Sequence, residues 1–244
     1  MSKVSLVIPF YNEASKFDRF RTIISAYLRN NRHVGELILV DDGSIDQTPA
    51  LLVDLRKTVD IPCEIVSIRP NQGKGNAIKT GIQHAGERWV LCNDADFSYL
   101  PEQLDEWIAN GMFDPDGPEV PHFGSRELGA EKGWVTFKLH RRIIGRIYAW
   151  LIRWVTGITV TDTQCGFKLY PTKLAKEIFL KVREERFAFD VEVHYILKQM
   201  GCPPKMLPVR CVEIGDSKVH LIKDSLQMGK ALWTIRKNHS KDAL

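Results

Sequence analysis

No stretch of this 244-residue sequence approaches the ~20 consecutive apolar residues that a membrane-crossing helix needs. Its start, Met1-Ser2-Lys3, leads straight into a strand-like run without an apolar signal region. Any membrane contact is therefore expected from the side. The five cysteines, Cys63, Cys92, Cys165, Cys202 and Cys211, form no CxxC pair and no Cys/His grouping with zinc spacing. An odd, scattered set reads as reduced thiols in a cytoplasmic compartment, not as a disulfide framework. Neither charge sign dominates: 34 Lys and Arg face 30 Asp and Glu, a net of +4. That excess is too weak to indicate nucleic acid, although it suits phosphates or an anionic membrane surface. The Walker spacing G-x-x-x-x-G-K-[ST] is missing, and so are a Ser-His-Asp order, internal repeats and low-complexity tracts. The histidines are scattered and read as surface or core residues.

What is present is an alternation. Val4 to Pro9, Glu36 to Asp41, Glu64 to Ile68 and Trp89 to Asn93 read as short apolar strands. Helices are expected between them over Ser15 to Asn30, from Thr48-Pro49 onward with Thr48 as N-cap, and over Lys74 to Ala85. Strands alternating with helices imply a mostly parallel sheet with helices on both faces, a three-layer α/β/α arrangement of Rossmann type. Ligands of such sheets bind outside the carboxyl ends of the strands. Polar clusters stand at those places: Tyr11-Asn12-Glu13, Asp41-Asp42-Gly43-Ser44, Asn71-Gln72-Gly73-Lys74-Gly75 and Asp94-Ala95-Asp96.

The second half is less regular. Trp134 to Val155 reads as one long helix, with Ile143, Ile144, Ile147, Tyr148, Leu151, Trp154 and Val155 on one face and Arg141, Arg142, Arg146 and Arg153 on the other. Further expected pieces are a strand around Leu169-Tyr170, a helix within Phe187 to Met200, a strand over Met206 to Val212 and a basic amphipathic tail from Lys218 to Lys237. The whole is expected to be one catalytic domain, 1–244. Its nucleotide-binding half is 1–100, its acceptor half 101–220 and its tail 221–244.

The chemistry follows from residue types. Two carboxylates at i and i+2 beyond a buried strand can hold a hard cation, Mg²⁺ or Mn²⁺, that also takes phosphate oxygens and water. Such a cation neutralises charge on a departing diphosphate, as in a nucleotide sugar. A lone D-x-D is more often a solvated turn; its place among three other polar strand ends favours the site. Asp41 and Asp42 divide between ligand contact and turn building, with Asp46 assisting the cap of the next helix. Asn71 to Gly75 resembles a phosphate-binding turn at a helix start. Arg126, in Gly124-Ser125-Arg126, and Lys218, in Gly215-Asp216-Ser217-Lys218, can fork onto or screen phosphates.

These segments together resemble family 2 glycosyltransferases of the GT-A fold, and within them the dolichyl- or polyprenyl-phosphate sugar synthases. The segments that match run in order along nearly the whole chain: VIPFYNE ending at Glu13, VDDGSIDQT from Val40 to Thr48, NQGKGNA from Asn71 to Ala77, DADFS from Asp94 to Ser98, GSR at 124–126, DTQCGFKLY from Asp162 to Tyr170, FAFDVEV from Phe187 to Val193 and GDSKV at 215–219. The DTQCGFK and FDVE runs look more like the glucose branch than the mannose branch.

The resemblance implies that Pro9, Tyr11, Glu13, Val40 and Asp42 contact the nucleoside. It implies that Asp94, Ala95 and Asp96 hold diphosphate and metal, with Asp96 the direct ligand. It places Arg126 and Lys218 near phosphates, and Asp162 and Gln164 near sugar and acceptor; Lys74 is a substrate-binding candidate from the Asn71 to Gly75 turn, or a plain surface charge. The expected activity is metal-dependent, inverting transfer of a hexose from a nucleotide sugar, UDP-glucose in preference to GDP-mannose, to a polyprenyl or dolichyl phosphate. Peripheral contact with the cytoplasmic membrane face is expected with it, through the amphipathic helix. A lipid phosphate is already anionic and needs no general base. A sugar or protein hydroxyl acceptor, the alternative, needs one: Asp162 first, Asp190 or Glu192 after it. A nucleotide-sugar-binding protein or nucleotidyltransferase is a third reading; the latter would carry a Gly-rich loop where this chain has Phe10-Tyr11-Asn12-Glu13.

Overall fold

The computed structural model describes residues 2–136, 139–186, 188–212 and 231–239. β1 (Val4–Phe10), β2 (Val34–Asp42), β3 (Cys63–Ile68) and β4 (Trp89–Cys92) alternate with α1 (Phe17–Asn30), α2 (Thr48–Arg56) and α3 (Lys74–His84). After α4 (Gln103–Ala109) come β5 (His122–Ser125), α5 (Arg126–Glu131), α6 (Leu139–Thr156), β6 (Lys168–Pro171), α7 (Thr172–Lys181), α8 (Phe189–Gln199) and β7 (Lys205–Pro208). A last helical stretch, α9, covers 231–239. The strands form one sheet in the order β3-β2-β1-β4-β6-β5-β7. β6 runs antiparallel to both neighbours, and the remaining pairings are parallel. The mostly parallel α/β sheet expected from sequence is thus observed.

Apolar residues alternate across the sheet and fill two cores. Leu6, Ile8 and Phe10 of β1 point to a layer with Phe17, Phe20 and Ile24 of α1 and Trp107 of α4. Val7, Ile38, Val40 and Val90 point to the opposite layer, with Ile78 and Ile82 of α3, Ile178 and Phe179 of α7 and Val193 of α8. A third cluster lies beside the sheet, where Ile152 and Val155 of α6 meet Val191 of α8 and Leu232 and Ile235 of α9. At about 25 cal/mol per Å² of apolar surface, these cores supply the main force fixing the strand ends in place.

Sequence and structure differ at two helix boundaries. The helix expected from Trp134 does not start there: Gly133 takes φ 73°, and α6 begins at Leu139. Trp134 instead offers its ring to Arg210, whose guanidinium carbon lies 4.0 Å from the centroid. Thr48 is the first residue of α2 and not its cap, because its hydroxyl accepts from the Glu13 amide at 2.9 Å. Asp46 assists this helix start as expected, accepting from the Thr48 amide at 2.9 Å.

Candidate active site

In the strand order, β1 lies between β2 and β4, and the polar clusters gather at the carboxyl ends of these strands. The turn after β2 is built first. Gly43 takes φ 77°, and a Cβ there would meet the Asn71 amide at 2.6 Å, so the position requires glycine. Ser44 then accepts from the Asn12 amide, and the Asn12 side chain accepts from the Ile45 amide, each at 2.9 Å. The ends of β1 and β2 are in this way stitched together, with Tyr11 left exposed above them.

Asp41 and Asp42 are both buried and both engaged. Asp41 accepts from the Ser44 amide at 3.1 Å and from Arg69 at 3.3 Å. Asp42 accepts from the Asn71 side chain at 2.7 Å and from the Gln72 and Gly73 amides, each at 2.8 Å. The Gly75 and Asn76 amides donate to the Glu185 carbonyl at 2.7 and 3.3 Å. The turn at 71–76 therefore differs from the phosphate cradle expected of it, because those amides already have acceptors. Only the Lys74 side chain remains as its cationic contribution. Val40 is likewise corrected: its side chain is buried in the core beneath α3 and does not face the crevice.

Lys74 reaches across to β4 and pairs with Asp94 at 2.6 Å. The Asp94-Ala95-Asp96 turn is held from below. Asn93, buried, accepts from the Asp94 amide at 2.8 Å and donates to the Tyr99 carbonyl at 2.9 Å. Phe97 is forced to φ 47°, a region that costs a non-glycine residue free energy, and is kept there by complete burial and by stacking on Phe20 at 5.0 Å. Asp96 uses one oxygen for the Ser98 amide at 2.8 Å; its other oxygen takes no hydrogen bond among the described residues. Asp94 and Asp96 thus present two half-exposed carboxylates on a rigid turn. No group of three or more His, Cys, Asp or Glu able to hold a metal occurs among the described residues. This donor set fits a hard cation completed by substrate phosphates and water, and does not form an all-protein cage.

The segment from Asp162 to Lys168 closes against the same turn. A Cβ on Gly166 would lie 2.3 Å from Asp94 Oδ2, so the 162–166 loop touches the Asp94 carboxylate directly. Buried Lys168 braces this loop from beneath, donating to the carbonyls of Thr163 at 3.1 Å and Cys165 at 2.7 Å and pairing with Asp190 at 2.5 Å. Gly166, Lys168, Asp190 and Arg69 were not singled out from sequence for these roles. The one available signal was the glycine inside DTQCGFK, which marks a close approach.

Arg126 and Asp162, taken from sequence as separate contacts to phosphate and to sugar or acceptor, are bound to each other. Asp162 accepts from the Arg126 amide at 2.8 Å, from Nε at 2.9 Å and from Nη2 at 2.6 Å. Burial opposes the Asp162 charge, yet the charge and hydrogen bonds of Arg126 outweigh it and hold the carboxyl below its usual range. A carboxylate so stabilised is a poor proton acceptor, which removes the leading candidate for a general base. Asp190 is taken by Lys168. Glu192, fully buried, accepts from the Arg183 and Glu184 amides at 2.9 and 2.7 Å and meets His239 of α9 at 2.6 Å. The Cys92 and Cys165 thiols are pushed up to about 12 by burial and stay protonated. Burial holds His194 down to about 3, so it is neutral near pH 7. Gln164 lies in the loop beside Gly166, and Lys218 falls outside the described residues.

The Arg126–Asp162 pair makes a testable contribution. Arg126→Met strands a buried carboxylate; with Arg126 about a third exposed, the expected loss is about 2–3 kcal/mol near neutral pH. Because the folded pKa of Asp162 is depressed, the pair stabilises above the ordinary carboxylate pKa of ~4 and is lost as pH falls. Urea unfolding of both proteins at neutral and acid pH should show the gap closing on acidification; an equal gap at both would refute the assignment.

The pattern of the family described as "Glycosyl transferase family 2" matches residues 5–179. The dolichyl-phosphate beta-glucosyltransferase of Homo sapiens is 30% identical over 243 residues, which is 96% of this chain and 75% of that protein. Its Dictyostelium discoideum counterpart is 27% identical over 246 residues, 96% and 73% of the two chains. Among solved structures, mannosyl-3-phosphoglycerate synthase from Rubrobacter xylanophilus aligns over 100% of this chain and 76% of its own, with TM-score 0.68 at 16% identity. Glucosyl-3-phosphoglycerate synthase from Mycobacterium tuberculosis, in complex with Mn²⁺, UDP-glucose and phosphoglyceric acid, aligns over 97% and 79% with TM-score 0.62 at 18% identity. The two solved structures establish likeness of fold.

Proposed function

We propose that this chain, which belongs to glycosyl transferase family 2, moves glucose from UDP-glucose to a polyprenyl or dolichyl phosphate at the cytoplasmic face of a membrane, with inversion at the anomeric carbon. The reading rests on one observation above the others. The three carboxylates considered as base for a hydroxyl acceptor, Asp162, Asp190 and Glu192, are all engaged by the protein itself. An acceptor that arrives as a phosphate anion needs no base, only positioning and charge screening. The beta-glucosyltransferase names of the relatives support the same choice of sugar and acceptor.

The residues divide the work. Pro9, Tyr11, Glu13 and Asp42 border the nucleoside side. Asp96, with Asp94, would hold Mg²⁺ or Mn²⁺, which when bound would neutralise charge on the departing diphosphate. Lys74 stands ready to exchange Asp94 for a diphosphate oxygen. The exposed part of the Arg126 guanidinium would face the acceptor phosphate while Asp162 keeps it oriented, with Gln164 in the neighbouring loop; Lys218, outside the described residues, is assigned to the same phosphate from sequence alone. Residues 1–100 thus serve the donor, and residues 101–220 serve the acceptor.

The test is a partition assay. Purified protein, Mn²⁺ and UDP-glucose labelled in the sugar should place label in the organic phase when polyprenyl phosphate is supplied. The rate should rise as the acceptor phosphate loses its second proton near pH ~6 and stay level above about pH 7. Label confined to water with donor consumed, or transfer to free sugars, would overturn the acceptor.

A further inference from the structure

Both oxygens of the Asp94 carboxylate have close neighbours in the protein. Oδ1 pairs at 2.6 Å with the ammonium of Lys74, the first residue of α3. Oδ2 lies against Gly166, where a Cβ would come 2.3 Å from it. The ion pair is largely shielded, its two side chains being 24 and 27% exposed. Asp96 differs, for it keeps an oxygen that takes no hydrogen bond among the described residues. Of the two carboxylates that could hold a hard cation, one is therefore already taken by a cation of the chain. Behind the pair, Lys74, Lys168 and Asp190 line a cavity of about 10 Å³ together with Cys92, Gly166 and Tyr170, room for about one water. Asp190 borders this cavity with Lys74 but is itself paired with Lys168 at 2.5 Å. Burial opposes the Lys74 charge, yet the carboxylates of Asp94, Asp190 and Asp96 outweigh it and keep the ammonium protonated. Leaving Asp94 without a new partner would strand a half-buried charge of each sign.

We propose that Lys74 is a resident cation that keeps Mn²⁺ or Mg²⁺ off the Asp94-Ala95-Asp96 turn until a nucleoside diphosphate arrives, so that metal and donor enter together. The proposal deepens the donor reading of this site and rests on it. Without an incoming anion, Lys74 would have to give up Asp94 and remain beside a doubly charged ion, a repulsive contact in a half-buried place. A diphosphate changes the balance. It offers oxygens to the ammonium, whose flexible stem can turn toward them while Asp190 keeps an opposite charge close by. Asp94 Oδ1 is then released beside the open oxygen of Asp96, and phosphate oxygens complete the set that two carboxylates leave short. Coupling of this kind is reciprocal. The factor by which UDP strengthens Mn²⁺ binding is the factor by which Mn²⁺ strengthens UDP binding.

The electron paramagnetic resonance signal of free Mn²⁺ reports metal binding without turnover and without any acceptor. Wild-type protein should bind Mn²⁺ weakly alone and about tenfold or more tightly with saturating UDP; calorimetry should find the same factor for UDP with and without Mn²⁺. Lys74→Met should bind Mn²⁺ alone about tenfold more tightly than wild type, although the site has lost a residue, and its gain on adding UDP should shrink. Lys74→Arg, which keeps a cation, should bind Mn²⁺ alone as wild type does. Lys79→Met is the control for charge at a distance. It removes a cation of the same helix that donates instead to the Val182 carbonyl at 3.3 Å, and Mn²⁺ affinity should stay within about twofold. Lys74→Gln repeats the test should the Met variant lose its circular dichroism. Equal or weaker binding of free Mn²⁺ by the Lys74 variants without a cation, or an equal gain in Lys79→Met, overturns the proposal and leaves the donor reading standing. Wild-type protein that binds no UDP in the presence of Mn²⁺ ends the donor reading, and the proposal with it.

Discussion

Asp96→Ala should lower transfer by ~10³-fold or more while leaving the protein folded. Only one Asp96 oxygen has a structural duty, the bond to the Ser98 amide, whose loss costs about 1 kcal/mol and lowers Tm by roughly 2–4 °C in a chain of this size. The other oxygen points to no protein donor among the described residues, so its loss falls on the donor complex and not on the fold. Asp96→Asn separates the two duties: it keeps an oxygen for Ser98 and weakens the cation site. Both variants should bind UDP with Mn²⁺ more weakly in calorimetry, and added Mn²⁺ should restore Asn better than Ala. Near-normal turnover of Asp96→Ala would remove the D-x-D turn from the mechanism.

Gly166→Ala is expected to be almost as damaging, although it adds a single methyl group. The new Cβ would stand 2.3 Å from Asp94 Oδ2 and 2.7 Å from its Cγ, so something must move. Neither side gives easily. Asp94 is held by Lys74 at 2.6 Å, and the loop is held by Lys168 through the Thr163 and Cys165 carbonyls. A displacement of this order at a reacting centre is enough for about a 10²-fold fall in kcat. The stability loss from overpacking should stay near 1–3 kcal/mol. Stopped-flow and equilibrium UDP binding should show the donor still bound while turnover drops. A Gly166→Ala enzyme with wild-type kcat would mean that the loop and the turn are not coupled.

Much of the crevice is legible in sequence because its parts are local. A strand ending in Asp94-Ala95-Asp96 or Asp41-Asp42-Gly43-Ser44 announces its own turn, and alternation of strand and helix tells which end of the sheet those turns share. What sequence does not disclose is pairing at a distance. The Arg126–Asp162 contact joins residues 36 apart, through a β6 that inserts between β4 and β5 and runs backward. Nothing in the periodicity of Leu169-Tyr170 gives that direction. Val40 is hidden for a related reason: a strand buried on both faces is apolar at every position, so its outward and inward residues cannot be told apart. The turn at 71–76 has the composition of an anion cradle, and only the positions of Asp42 and the Glu185 carbonyl reveal that its amides are spent. On α6 the apolar arc is wider than one contact needs, and sequence does not say that part of it faces water.

Glu192 links segments that are far apart along the chain. Its carboxylate grips the loop at 183–184, whose neighbour Glu185 in turn takes the first amides of α3, and it also grips His239 near the chain's end. His239 of α9 is therefore tied, through Glu192 and the 183–185 loop, to the helix that carries Lys74. A change at His239 would thus be felt, through one buried carboxylate, at the start of a helix far earlier in the chain.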